Sequence, residues 1–322
     1  MKNFWKSLSK PIFILSPMDD VTDTVFRRIV MSCSKPDAFF TEFVNCEGIL
    51  HQAPQVLQKL KYSEIERPIV AQIWGKVPKS YFKVAQILKE MGFDGIDINM
   101  GCPESGIVKK GCCSALINNH KLAGEIIQAT KDGAGGLPVS VKTRLGFRTL
   151  QTEEWVKFLL EQNIDALTLH GRTTSEMSKV PAHWDEIAKA VQIRNELGKS
   201  TLILGNGDIS SSQDALDKIK EYKVDGVMIG RGVFKDLWIF DKSGNKYQPT
   251  LKEKLKLLIK HAELYDKVWG NTRHFVILRK FFKSYVNDFE NASDLRIKLV
   301  QTNSLEEVKE LLIPYLKLNP KT

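Results

Sequence analysis

F-D-G-I-D-I-N-M-G-C-P, residues 93–103, is the stretch from which the fold is read. Residues 95–98 form an apolar run too short for a helix and rich in β-branched side chains, as in a strand buried on both faces. The run opens directly into N-M-G-C-P. There a glycine before Cys102 and a proline after it bend the backbone and keep the thiol out of a helix interior. Alone, G-C-P also reads as a turn whose cysteine is merely small and apolar. Its place after a strand makes Cys102 a thiol on a mobile, solvent-reachable loop.

Working outward, the same layout recurs. Short apolar runs lie at 12–15, 38–43, 69–73, 95–98, 139–141, 166–169, 202–204 and 226–229. Stretches with helical spacing lie between them, at 81–91, 122–131, 152–162, 184–197 and 212–222. Strand and helix alternating eight times predict an α/β fold, a (β/α)₈ TIM barrel over roughly residues 11–240. A doubly wound open sheet is the competing layout.

After Phe240 only helical periodicity remains. Leu251, Leu255, Leu258, Ala262 and Tyr265 share one face, as do Phe275, Leu278, Phe282 and Tyr285, and a third run ends near Pro314. The expected organisation is a barrel domain at 1–240, a polar linker at 241–250 and a small C-terminal helical domain at 251–322. Net charge is +9 over 322 residues. Residues 251–322 hold 14 Lys and Arg against 9 Asp and Glu, so this short part is the more basic per residue. That balance favours a polyanionic partner or an anionic cofactor.

Five cysteines without regular spacing argue against a disulfide framework. No apolar stretch is long enough to span a bilayer, and the N-terminus lacks the apolar core of a signal peptide. No membrane association and a cytoplasmic location are expected.

Barrel enzymes carry their chemistry at the C-terminal ends of strands. Those positions hold Ser16-Pro17-Met18-Asp19, Gln72, Asn99 with Cys102, Lys142 with Arg144, His170 with Arg172, Asn206-Gly207-Asp208 and Gly230-Arg231-Gly232. The last two groups are glycine turns that expose backbone N–H groups, the usual barrel setting for a phosphate. Amide, lysine and imidazole groups around one mouth suit a phosphate-bearing ring cofactor such as a flavin. Tight turns, a solvated lysine and a strand-capping histidine are the plainer readings of the same residues. C-x₉-C-C over Cys102, Cys112 and Cys113 fits no common zinc spacing, so no metal is expected. Cys112 and Cys113 read as packed rather than catalytic.

Seven motifs in order, P-M-D-D-V-T-D-T-V-F-R-R, V-A-Q-I-W-G, D-I-N-M-G-C-P, V-K-T-R-L-G, L-H-G-R-T, G-N-G-D-I and I-G-R-G, resemble those of the tRNA-dihydrouridine synthases. The resemblance runs from about Pro11 through the barrel and more loosely to residue 322. It implies FMN, NAD(P)H as reductant, and RNA, above all tRNA, as substrate. It implies that Cys102 is the general acid. Cofactor contacts would come from Pro17, Met18, Gln72, Lys142, His170, Asn206, Gly207, Asp208, Gly230 and Arg231, with Asp19 in the same loop. Asn99 and Arg144 would hold the target uracil. Arg273, Arg279, Lys280 and Lys283, opposite Phe275, Leu278 and Phe282, would meet RNA phosphates; a merely solvated helix face is the alternative. Two stretches depart from the family: G-C-C-S-A-L after the cysteine loop and T-S-E-M-S-K-V-P-A-H-W after H-G-R-T. The nearest competing activities are a dihydroorotate dehydrogenase-like enzyme on a free pyrimidine, a flavin-free barrel isomerase or aldolase, and a non-catalytic RNA-binding barrel.

Overall fold

A computed structural model describes residues 3–243 and 247–317. Nine parallel strand segments lie in one sheet: β1 (Ile12–Leu15), β2 (Phe39–Phe40), β3 (Val44–Asn45), β4 (Ile69–Trp74), β5 (Gly95–Met100), β6 (Val139–Arg144), β7 (Ala166–His170), β8 (Leu202–Asn206) and β9 (Gly226–Ile229). Their order is β1-β9-β8-β7-β6-β5-β4-β2, with β3 also on β4. A bridge between Ile14 and Ala38 joins the two ends, so the sheet closes into the expected (β/α)₈ barrel.

The second strand, expected as one run, is split into β2 and β3. The Thr41 hydroxyl accepts the backbone N–H of Gln72 at 3.1 Å and so takes the place of a ladder carbonyl. The strand breaks there and resumes at Val44. Two helices start earlier than their apolar spacing suggests: Pro78 opens Pro78–Glu90, and Asn119 caps His120–Ala134 by accepting Leu122 N–H; those expected at 152, 184 and 212 start there.

The N-terminal turn Phe4–Ser7 carries a function the sequence does not announce. Phe4 and Trp5 pack with Ile12, Ile14, Phe40, Val70, Ala166, Leu204 and Met228 in one buried cluster. Four of these come from β1, β8 and β9 and leave the other end of the strands for polar residues. Register then sets the polar end: Asn99 is level with Lys142, Arg144 with His170, and His170 with Asn206.

The chain divides into two compact units, one of residues 1–24 and 36–232, the other of residues 25–35 and 233–322. The division thus falls at Gly232 rather than Phe240, and the second unit takes in most of the helix Thr24–Cys33. Within that unit Phe26 stacks on Phe281 with ring centroids 4.8 Å apart and on Phe234 at 5.9 Å. His261, fully buried, hydrogen-bonds the Tyr285 hydroxyl at 2.7 Å. Its helices are Leu251–Trp269, Ala292–Leu299 and Leu305–Lys317, with 3₁₀ and short α turns over Phe275–Phe281 and Phe282–Tyr285. Ala292–Leu299 has no clear apolar face in sequence, and Pro314 lies inside the last helix instead of ending it.

Gly226 marks the tightest point of the barrel seam: a Cβ there would lie 2.2 Å from the Ile12 carbonyl oxygen. Gly226→Ala should therefore cost about 1–3 kcal/mol by overpacking. Urea unfolding followed by far-UV circular dichroism checks this, and an unchanged midpoint would show that the seam has room.

Candidate active site

At the mouth, β4, β5 and β6 present a chain of side-chain hydrogen bonds. Ser140 donates to Asp97 at 2.5 Å, and the Gln72 amide nitrogen donates to the other Asp97 oxygen at 2.7 Å. The Asn99 amide nitrogen donates to Gln72 Oε1 at 3.0 Å. Asn99 Oδ1 in turn accepts the backbone N–H groups of Gly101 and Cys102, both at 3.0 Å. Glu104 caps the helix Ser105–Lys109 by accepting from Gly106 and Ile107 N–H. The cysteine loop, expected to be mobile, is pinned on both sides of Cys102.

Cys102 is half-buried, and its thiol meets that of Cys113. The hydrogen bond from Cys113, outweighing burial, and the nearby Arg144 charge bring the Cys102 pKa from 9.0 down to about 7. Cys113 shifts the opposite way, well above the usual thiol range, because it serves that bond in a buried place. It adopts φ of +52°, and Ser114 N–H returns to the Cys102 carbonyl at 3.4 Å. The expectation that Cys113 is simply packed is thus incomplete: it is packed against the Cys102 thiol and hydrogen-bonds it. Cys112 is buried without that contact.

Around the other half of the mouth, Lys142 donates to Asn206 Oδ1 at 3.0 Å, and Asn206 donates to the Met228 carbonyl at 2.6 Å. Lys142 keeps part of its surface open. Burial of the rest and the Arg144 charge lower its pKa to about 8. Burial, then Lys142, Arg144, Arg172 and Arg231, push His170 far below the usual histidine range, so the ring is neutral. Arg172 Nη1 lies 3.1 Å from His170 Nε2. A guanidinium can only donate, so Nε2 accepts and the ring proton sits on Nδ1.

The remaining expected residues fall into place unevenly. Gly207 has φ of +132°, and a Cβ there would approach His170 and Arg172 within 3.4 and 3.6 Å. A Cβ on Gly230 would face Met18 Sδ at 3.8 Å and Ser16 at 3.7 Å, which brings the first and last strand ends together beside Pro17. Asp208 is taken up by Arg172 and by Arg231 at 3.7 Å, so it orients cations. Asp19 is paired with Lys59, which also lies 3.4 Å from Asp20 and 3.9 Å from Glu42. That acidic trio, the one metal-like group found among the described residues, is therefore centred on an ammonium. Gln72 is fully buried beneath Asn99. Arg144 donates Nε to the Gly101 carbonyl at 2.7 Å and Nη1 to the Thr173 and Met177 carbonyls, which leaves Nη2 outside these bonds.

Among the residues expected to meet RNA, Lys283 is exposed, and Lys280 is exposed with its ammonium 5.3 Å from the Phe281 ring centre. Arg273 stacks over the Trp269 ring at 4.1 Å. Arg279 donates to the Thr302 carbonyl at 3.0 Å and to Asn303 at 2.9 Å, a contact within its own unit. Sequence reading gave Asp97 no role, placed Arg172 at a strand end without its partners and took Cys113 as packed. Asp97 could have been noticed as a charge inside an apolar strand; the contacts of Cys113 depend on how the loop folds back.

Alkylation of Cys102 by iodoacetamide, followed by peptide mass spectrometry, should rise with pH through a midpoint near 7, since only the thiolate reacts. A midpoint near 9 would contradict the thiol pairing.

The dihydrouridine synthase (Dus) family matches residues 14–318. A Staphylococcus epidermidis protein described as "Probable tRNA-dihydrouridine synthase" is 46% identical over 315 residues, covering 97% of this chain and 95% of its own. A Bacillus subtilis protein described as "Probable tRNA-dihydrouridine synthase 2" is 44% identical over 315 residues, with 97% and 96% covered. The solved structure of an old yellow enzyme homologue from Zymomonas mobilis aligns over 70% of this chain and 85% of its own, at 12% identity and a TM-score of 0.45. The barrel rests on the strand register above and takes nothing from that likeness. Matched over nearly its whole length, the chain belongs to the dihydrouridine synthase family.

Proposed function

We propose that this chain reduces uridine to 5,6-dihydrouridine in tRNA, with FMN held at the barrel mouth and NAD(P)H as the reductant. The observation that carries the reading is the Cys102 thiol, with its lowered pKa, beside a mouth lined by Lys142, Arg144, Arg172 and Arg231. The family match and the tRNA-dihydrouridine synthase relatives support the same reaction.

The residues fit a flavin phosphate and ring. Gly230 leaves room beside Ser16 and Met18 with Arg231 next to it, whereas a Cβ on Gly207 would lie 2.8 Å from Ala182, so the turn after β8 admits only glycine and keeps its backbone bare. Lys142, Asn206 and the Nδ1–H of neutral His170 offer hydrogen bonds to the polar edge of a ring. Pro17 and Met18 line the space opposite Gly230. Gln72 acts through Asn99 because it has no exposed surface, Asp208 acts by holding Arg172 and Arg231, and Asp19 belongs to the Lys59 cluster. Reduced FMN, once bound, would supply a hydride for C6 of the uracil. Cys102 holds the proton for C5. Arg144 Nη2 and the remaining amide hydrogen of Asn99 face the uracil oxygens and favour the charge that develops there.

The base must leave its stack, at a cost of a few kcal/mol that binding elsewhere on the RNA offsets. We assign that binding to the helical unit of residues 251–322, through exposed Lys280 and Lys283. Arg279 holds the Thr302 turn instead, and Arg273 sits on Trp269. The chemistry needs no membrane, and no helix among the described residues is long and apolar enough to cross one. A tRNA substrate and five free cysteines support a cytoplasmic location.

The purified protein should be yellow, and Cys102→Ala should keep both its flavin and flavin reduction by NAD(P)H. Its rate of dihydrouridine formation, read by mass spectrometry of nucleosides, should fall by about 10²–10⁴-fold. Wild-type activity on RNA should decline as pH rises through about 7, where Cys102 loses the proton it must donate. Full activity in the alanine variant would remove Cys102 from the reaction.

Lys280→Gln combined with Lys283→Gln should leave flavin reduction unchanged and weaken RNA binding. The slope of log affinity against log salt should become shallower by about 0.7–0.9 for each phosphate that these lysines neutralise in the wild-type complex. An unaltered slope would move the RNA surface elsewhere.

A further inference from the structure

Asp97 lies fully buried in the middle of β5, where the neighbours along the strand are Ile96 and Ile98. A carboxylate in such a place needs polar partners on every side. Ser140 and the Gln72 amide fill both its oxygens, and Lys142 supplies a nearby positive charge. Cys102 stands two amides away along the chain Asp97–Gln72–Asn99.

A primary amide has one accepting end and one donating end, and hydrogen bonding to neighbours decides which way it points. A carboxylate only accepts, so Asp97 forces Gln72 to present its nitrogen downward and Oε1 upward. Oε1 must then receive a donor, so Asn99 turns its nitrogen toward Gln72 and its oxygen toward the loop. Only that orientation lets Asn99 Oδ1 accept both loop N–H groups at 3.0 Å. The order is fixed at both ends, below by a carboxylate that only accepts and above by two backbone N–H groups that only donate. Among the described residues, neither amide side chain has a further hydrogen bond that sets its direction.

We propose that Asp97 is the positioning residue of the active-site loop: its acceptor-only carboxylate supports the one polarity of Gln72 and Asn99 that serves the loop N–H groups, and so holds Cys102 in its place. The proposal rests on the reading of Cys102 as proton donor. It concerns a residue that touches neither substrate nor cofactor.

The test exchanges polarity without changing volume. In Gln72→Glu a carboxylate that only accepts faces the Asp97 carboxylate, so two acceptors meet with no donor between them. Adding Asp97→Asn in the same chain restores the order, because the new amide turns its oxygen to Ser140 and its NH₂ to the carboxylate at 72, which still accepts from Asn99 above. The measurement is the pH midpoint of Cys102 alkylation by iodoacetamide on the purified protein, which needs no RNA. Groups facing the thiol are Cys113, Glu104, Arg144 and Lys142, and none is altered in either variant.

Gln72→Glu should raise the midpoint from about 7 toward 9.0 as the loop releases Cys102 from Cys113, and adding Asp97→Asn should return it to about 7. If the single variant does not fold while the double variant does, polarity is likewise what was restored. A single variant with the wild-type midpoint would overturn the proposal. So would a double variant that does not fold or keeps the raised midpoint, since it preserves both volume and polarity. The reading of Cys102 fails separately, through full RNA activity in Cys102→Ala, and the alkylation result does not depend on it.

Discussion

The parallel register of β5 to β8 is the constraint on which the site depends. Asn99, Lys142, His170 and Asn206 are neighbours across the ladder because main-chain hydrogen bonds fix those strands level with one another. A slip of one residue in any pairing would turn these side chains away from the mouth and bring apolar ones into it. The register is secured from the other end, where Phe4 and Trp5 close the apolar core over β1, β8 and β9. Strands carry Asn99, Lys142, His170 and Asn206, whereas Cys102, Arg172, Asp208 and Arg231 reach the mouth from the segments that follow them.

Electrostatics at that mouth is set by an excess of cations held at close range. His170 stays neutral because four cations and burial all oppose its protonation, and it serves as a hydrogen-bond donor of fixed tautomer. Asp208 gathers Arg172 and Arg231, so the glycine turns after β8 and β9 face a positive field suited to a phosphate. Near Cys102, Arg144 has a double part. Its Nε and Nη1 tie the loop to the segment after β7, while its charge favours the thiolate.

The barrel was legible because strands buried on both faces make short apolar runs, and the strand-end residues follow from them. The break in the second strand was not legible, since it depends on the Thr41 hydroxyl replacing a backbone acceptor. Of the site, the identities of Cys102, Lys142, His170 and Asn206 could be read, along with the two glycine turns. Their linkage could not be. Gln72 was visible as a polar strand residue, but its burial under Asn99 depends on Asp97, a charge hidden inside G-I-D-I. Basic residues of the helical unit look alike in sequence, although Arg279 is committed to the Thr302 turn and Lys280 and Lys283 are exposed.

The central claim is that this chain reduces uridine in tRNA. It is tested most directly by nucleoside mass spectrometry of tRNA from a strain in which the gene has been deleted, with and without a plasmid that restores it. The account predicts that dihydrouridine is lost at one or more tRNA positions and returns with the wild-type chain but not with Cys102→Ala. Unchanged dihydrouridine at every tRNA position in the deletion strain would contradict it.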